Sequence, residues 1–270
     1  MSLRDFLELC AESDQEGALA LLDQHSDWLD KGQEGYLIIV NGRSVWHGST
    51  AIIAAAVGGS VGLINALLQR GADVRNVDRH GHNALMMASQ YGHVGAATLL
   101  LDRAPDLLES RNNYRQTPLH LAAQHDRINI VQLLVNRGAQ INAADNQGMT
   151  SLHDAAEWNN LEMVRFLVNQ GAQIDAIDND GQTPLFFASI ELNLQMVKFL
   201  VNRGAQIDAA ANNGWNALHM ASYWGNLDIC LFLISRGMDP SIANNEGETA
   251  LTLFGSIHDD NDPEDRMIPR

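Results

Sequence analysis

Gln116-Thr117-Pro118-Leu119-His120 and Gln182-Thr183-Pro184-Leu185 are nearly the same phrase, and five looser copies of it recur along the chain. The residue two before the Thr or Asn of each copy marks its phase: Gly48, Gly81, Arg115, Gly148, Gly181, Gly214 and Gly247, at steps of 33, 34, 33, 33, 33 and 33. A period of that length signals a stacked array, in which each unit touches mainly its neighbours and the core runs continuously through the stack. The chain of 270 residues therefore reads as one array of short units.

The unit from Thr117 to Gly148 shows the local physics. Thr117 is a good N-cap, and Pro118 follows at the first helical position, where a missing N–H costs nothing. Leu119, Leu121, Ala122 and Ala123 make a short, small-faced helix. After Asp126 a second helix carries Ile128, Val131, Leu133, Leu134 and Val135 at helical spacing. Gly138 supplies a left-handed C-cap, and the polar stretch through Asp145, Asn146, Gln147 and Gly148 forms a hairpin-like finger into the next Thr. Neither helix buries its apolar face alone, so each must stack on copies of itself.

The chain resembles the ankyrin repeat family. The resemblance rests on Thr117-Pro118-Leu119-His120-Leu121-Ala122-Ala123, Thr150-Ser151-Leu152-His153-Asp154-Ala155-Ala156 and Asn216-Ala217-Leu218-His219-Met220-Ala221-Ser222. The Arg70-Gly71-Ala72-Asp73, Arg137-Gly138-Ala139, Gln170-Gly171-Ala172 and Arg203-Gly204-Ala205 turns extend it over most of the chain. It implies an all-α, ankyrin-type helical solenoid of stacked helix-turn-helix repeats with β-hairpin fingers. Residues 1–29 then read as an N-terminal capping repeat, 30–47 as an extended β-hairpin finger and 48–246 as six repeats. Residues 247–258 read as a truncated C-terminal capping repeat and 259–270 as an acidic tail.

His120, His153 and His219 recur at one position per repeat, about a helix-packing distance or more apart, far beyond the roughly 2 Å bonds of a shared zinc. They are structural, and in the resembling family such a ring bridges the Thr hydroxyl to the neighbouring loop backbone. No metal site and no cofactor is expected. His258-Asp259-Asp260-Asn261-Asp262 lacks the calcium-loop spacing and reads as solvated.

The period breaks in two places. Tyr36-Leu37-Ile38-Ile39-Val40, Asn41-Gly42 and Arg43-Ser44-Val45-Trp46 form a hairpin signal with a type I′ turn. This hairpin is longer than an ordinary finger, and it reads equally as an arm that touches a partner or as cover for the cap. At the 34-residue step, Ala104-Pro105 replaces the capping Gly and Arg115 stands where Gly is expected. Asn112 and Asn113 are the residues suited to the positive φ that Arg115 would resist, with Tyr114 near the tip of a rebuilt loop.

Lys+Arg number 17 against Asp+Glu 33, a formal charge of -16 that disfavours phosphate-backbone binding and complements a basic partner. No leader pattern opens the chain and no stretch approaches the roughly 18 apolar residues of a membrane span, so the expectation is a soluble, cytoplasmic, monomeric protein. Cys10 and Cys230 lie about six repeats apart, too far to pair, and read as small buried hydrophobes.

Ankyrin-like arrays bind through their finger tips and the exposed face of the first helix, which together form the concave side. In this chain the fingers offer Trp46, His47, Arg79, His80, His82, Tyr114, Met149 and Trp215. First helices offer Gln90, Tyr91, Gln124, His125, Glu157, Trp158, Ile190, Glu191, Tyr223 and Trp224. Of these, Trp46, His80, His82, Tyr91, Tyr114, His125, Glu157, Trp158, Trp215, Tyr223 and Trp224 are the candidate partner-binding residues, because aromatics at open positions are the commonest hot spots. For each Trp, packing between repeats is the competing role. No phosphate-cradling glycine loop, nucleophile elbow or catalytic cluster is present, so no catalytic residue is assigned. The reading is a non-catalytic protein-protein interaction module, or more narrowly an inhibitor or immunity-type protein that neutralises a basic enzyme or toxin.

Overall fold

The computed structural model describes residues 2–31, 38–40, 43–45 and 48–256. It is an all-α repeat fold of the solenoid class, and its contacts divide it into two compact units, residues 1–146 and 147–270.

The first unit contains α1 (Leu3–Glu12), α2 (Gln15–Gln24), α3 (Ala51–Gly58), α4 (Val61–Gln69), α5 (Ala84–Tyr91), α6 (Val94–Arg103), α7 (Pro118–Gln124) and α8 (Ile128–Asn136). The odd-numbered helices stack on one another in one layer and the even-numbered helices in a second. Small residues make the first layer possible: Ala51 to Val57 of α3 are all buried, packed on both sides. The even helices are amphipathic and bury one face only, as α8 does with Ile130, Val131 and Leu134.

At the N-terminus α1 starts at a capping box, with the Asp5 amide donating to Ser2 Oγ and the Ser2 amide donating to Asp5 Oδ2. It buries Phe6, Leu7 and Cys10, while Trp28 is buried beside them, 5.9 Å from the Phe6 ring and stacked on His25 at 4.0 Å. Strands β1 (Ile38–Val40) and β2 (Arg43–Val45) pair antiparallel, with Val40 opposite Arg43. That is the register a two-residue Asn41-Gly42 loop demands. Strand β1 lies beside α1 and β2 beside α3. The turn residues, Tyr36 and Trp46 fall outside the described residues.

The second unit repeats the plan with α9 (Ser151–Glu157), α10 (Leu161–Asn169), α11 (Pro184–Ile190), α12 (Leu194–Asn202), α13 (Ala217–Tyr223), α14 (Leu227–Ser235) and α15 (Ala250–Ser256). First helices α9, α11, α13 and α15 stack in order, backed by α10, α12 and α14. Phe199 of α12 is clasped between Arg165 and Arg203, and Phe232 of α14 between Lys198 and Arg236, each cation 4.7–5.7 Å from the ring centre.

Fingers within each unit are tied by an asparagine ladder. The Asn113 amide donates to His80 O at 2.9 Å while its side chain donates to Arg79 O at 2.8 Å. Asn146 does the same toward Tyr114 and Asn113, and Asn212 and Asn245 repeat it in the second unit. Close approach crowds any side chain at the facing position. A Cβ on Gly214 would stand 2.6 Å from Asn245 Oδ1, and its φ of +83° is left-handed besides.

Arg115 corrects the sequence reading. The left-handed residue of its finger is Arg115 itself, with φ 61°, and not Asn112 or Asn113. Asn112 is committed elsewhere, since its Oδ1 accepts the amides of Tyr114 and Gln116, and its own carbonyl accepts the Arg115 amide at 2.9 Å. The turn thus keeps the geometry of its glycine-bearing counterparts and forces Arg into it, at a cost of about 1–2 kcal/mol. Arg111 steadies the strained residue, its guanidinium donating to Arg115 O at 3.1 Å and Ala144 O at 2.7 Å. The rebuilt connection before this finger runs through a short 3-10 turn at Pro105–Glu109, with Ala104 buried at the end of α6.

Candidate functional site

The recurrent histidines prove structural in detail. His153 Nδ1 accepts the Thr150 amide at 3.0 Å, so the neutral ring carries its proton on Nε2 and donates to Ala176 O at 3.0 Å in the next finger. His219 reciprocates with its cap: its amide donates to Asn216 Oδ1 at 3.0 Å while Nδ1 accepts the Asn216 amide at 3.2 Å. Its Nε2 lies 3.1 Å from Ile242 O. Burial lowers the His219 pKa below 6.5, against the opposing pull of the Ile242 and Glu248 contacts. Among the described residues no group of His, Cys, Asp and Glu is arranged to hold a metal ion.

In the first unit the structure brings His80, His82 and Tyr114 together. His80 is half-buried and stacks on Tyr114 with ring centres 6.4 Å apart. Tyr114 itself is 51% exposed. His82 departs from the expectation of an open position: it is buried, its Nδ1 donating to Asp78 Oδ2 at 3.1 Å, and serves the finger's own structure. Tyr91 ends α5, half-buried and stacked on His93. His125 caps α7, exposed, with Nδ1 donating to Leu121 O at 3.0 Å; desolvation lowers its pKa, and that carbonyl opposes the shift. A recess of about 210 Å³ beside Tyr91 and Arg127 is smaller than the roughly 300–1,000 Å³ of ligand pockets.

In the second unit the aromatics divide. Trp158, the C-cap of α9, is 63% exposed. Trp215 is only 5% exposed and is corrected from surface to core: it packs in a cluster with Phe186, Ala211, Met220 and Leu253. Burying so large a ring removes it from any partner. Tyr223 and Trp224 lie half-buried on that cluster, Tyr223 edge-on to Trp215 at 5.6 Å and to Trp224 at 5.3 Å. Glu157 is exposed beside Trp158 at the end of α9, Glu191 is exposed at the end of α11, and Ile190 is half-buried on α11, which stacks between α9 and α13. Partial desolvation raises the Glu191 pKa.

Sequence reasoning missed Leu192. It occupies the turn between α11 and α12 with φ 56° and is 42% exposed. Its counterparts at this left-handed position are Ser13, Gly59, Gly92, Asp126, Asn159 and Gly225. The signal was readable by alignment of the repeats: a large apolar side chain stands where the others place Gly, Ser, Asn or Asp.

The family model for ankyrin repeats, in its three-copy form, matches residues 7–110, 104–178 and 171–244. The chain belongs to the ankyrin repeat family. Ankyrin repeats mediate protein-protein interactions. Over 95 residues, 35% of the chain, it is also 30% identical to alpha-latrocrustotoxin-Lt1a of Latrodectus tredecimguttatus, and it spans only 7% of that much longer protein. Among the described residues no helix is long and apolar enough to cross a membrane.

Proposed function

We propose that the chain is a non-catalytic binding module whose second unit docks a protein partner on the row of first-helix ends formed by Trp158, Ile190, Leu192 and Trp224, flanked by Glu157 and Glu191. The observation that carries this reading is Trp158: a 63% exposed indole at a helix end, with nothing in the fold requiring it there. An indole that becomes buried on association contributes about 2 kcal/mol or more. Leu192 adds to it, because an apolar side chain in a left-handed turn costs stability and this one is left 42% exposed.

The flanking carboxylates favour a partner that places basic residues around an apolar contact. An inhibitor of a basic enzyme or toxin is one such case, and the formal charge of -16 suits it.

The test is association of a captured partner with wild type, Trp158→Ala and a Glu157→Lys, Glu191→Lys double variant. All three should share one melting curve. Trp158→Ala should weaken binding about 30-fold or more, and the charge reversal should do so most strongly at low salt. A partner held equally by all three would place the binding surface elsewhere.

A further inference from the structure

Among the described side chains of the first unit almost every cation is already engaged. Arg4, Lys31, Arg70, Arg75 and Arg137 pair with carboxylates. Arg103 donates to Asn65 Oδ1, Arg111 to two carbonyls and Arg127 to Gln90 O. Arg79 and Arg115 differ. Both are exposed, and neither guanidinium has a partner among the described residues. They stand on consecutive finger tips, next in sequence to the stacked rings of His80 and Tyr114.

Three further observations make this a built surface. First, its spacing is fixed by the ladder, since Asn113 ties its own finger to the carbonyls of Arg79 and His80. Second, the acid next to Arg79 in the chain is committed to the finger itself: Asp78 is buried and accepts the amides of His80 and His82 and the His82 ring. Third, Arg115 holds a left-handed conformation that its counterparts Gly48, Gly81, Gly148, Gly181, Gly214 and Gly247 adopt without strain. Folding gains nothing from an arginine there, so a strained and unpaired Arg points to use of its charge.

We infer that the Arg79, His80, Tyr114 and Arg115 tips dock an acidic segment of a protein partner, two carboxylates meeting the guanidinium groups and the segment's backbone lying across Tyr114. Guanidinium matches carboxylate in bidentate geometry, and the aromatic face offers a rigid contact at low entropy cost. A protein segment is favoured over nucleic acid because a long polyphosphate would also meet the field of a chain carrying -16, whereas a short acidic stretch need meet only the tips. The inference rests on the reading of the chain as a protein-binding module, but on the other unit.

The probe is a fluorescent peptide of alternating Glu and Ser, compared with its Lys-Ser counterpart and a single-stranded DNA of equal length. At low salt the acidic peptide should bind and shift the amide resonances of residues 79–80 and 113–115. Arg79→Ala with Arg115→Gly should weaken it about tenfold or more, and Arg115→Gly alone should melt at or above the wild-type temperature. The inference is overturned if millimolar acidic peptide leaves those amides unmoved, or if the variants bind it unchanged. Preferential DNA binding lost in the same variants also overturns it, assigning the patch to nucleic acid. Trp158→Ala separates the two proposals. If that variant loses the captured partner while the tip variants keep it and the peptide does not bind, the tip inference fails and the module reading stands. If Trp158→Ala has no effect and the peptide still binds at the tips, the converse holds.

Discussion

At the scale of single residues, the informative positions are those where one repeat departs from its copies. Arg115 is the sharpest: its side chain meets solvent, its φ is 61°, and its stability cost is borne by one turn. Arg115→Gly should raise stability by up to about 1 kcal/mol, read as a higher urea midpoint at unchanged slope; a lower midpoint would mean that the arginine makes a structural contact. His219 offers a pH test. Burial depresses its folded pKa below the unfolded value of 6.5, so the unfolded chain binds the proton more readily. Its contribution is therefore present in full above pH 6.5 and is lost as the pH falls from there through the depressed folded value. Urea midpoints measured from pH 8 to pH 5 should fall at the acid end, and His219→Gln should flatten that part of the curve. The histidine role was legible in the sequence because it depends on spacing along one helix turn. The left-handed Arg was legible only as an oddity, since which residue of a turn takes positive φ depends on where the Asn112 side chain spends its hydrogen bonds.

At the scale of elements, the first helices are short and small-faced, and their C-terminal ends are where the chain varies. Trp158 and Trp224 cap equivalent helices two repeats apart, yet one is exposed and the other is half-buried. The difference lies in the neighbours: Trp224 packs against the cluster holding Trp215, Phe186 and Leu253. Phe186 stands where other repeats place the histidine of the phrase and fills that space with a ring. Trp215→Ala should consequently cost about 3–5 kcal/mol, while Trp158→Ala should stay within about 0.5 kcal/mol of wild type. Thermal unfolding of the two variants checks this, and equal destabilisation would contradict the division into core and surface. Position within a repeat marked both tryptophans as candidates; their burial was set by residues one repeat away.

At the scale of the whole molecule, net charge describes a sum that the fold distributes unevenly. The finger tips of the first unit carry Arg79, His80, Tyr114 and Arg115, while the corresponding tips of the second carry Gln147, Asp180, Asn213 and Glu246. A composition of -16 therefore predicts solubility and long-range steering better than it predicts the local contact. Each unit also holds one free, buried thiol, Cys10 in the first and Cys230 in the second, and burial raises the pKa of both. Neither should react with a thiol reagent in the native protein. Pulsed alkylation along a urea gradient, read peptide by peptide, should label each only as its own unit opens; rapid labelling of either thiol without denaturant would contradict its burial.

Periodicity, caps and turn chemistry are local, acting over a few residues, and the chain repeats them often enough that its architecture and its family are written in the order of its amino acids. Exposure is not local. Whether an indole faces water and whether a guanidinium is paired depend on side chains a full repeat away. Stacking alone brings those side chains together, and it moved Trp215 into the core while leaving Trp158, Tyr114, Arg79 and Arg115 at the surface.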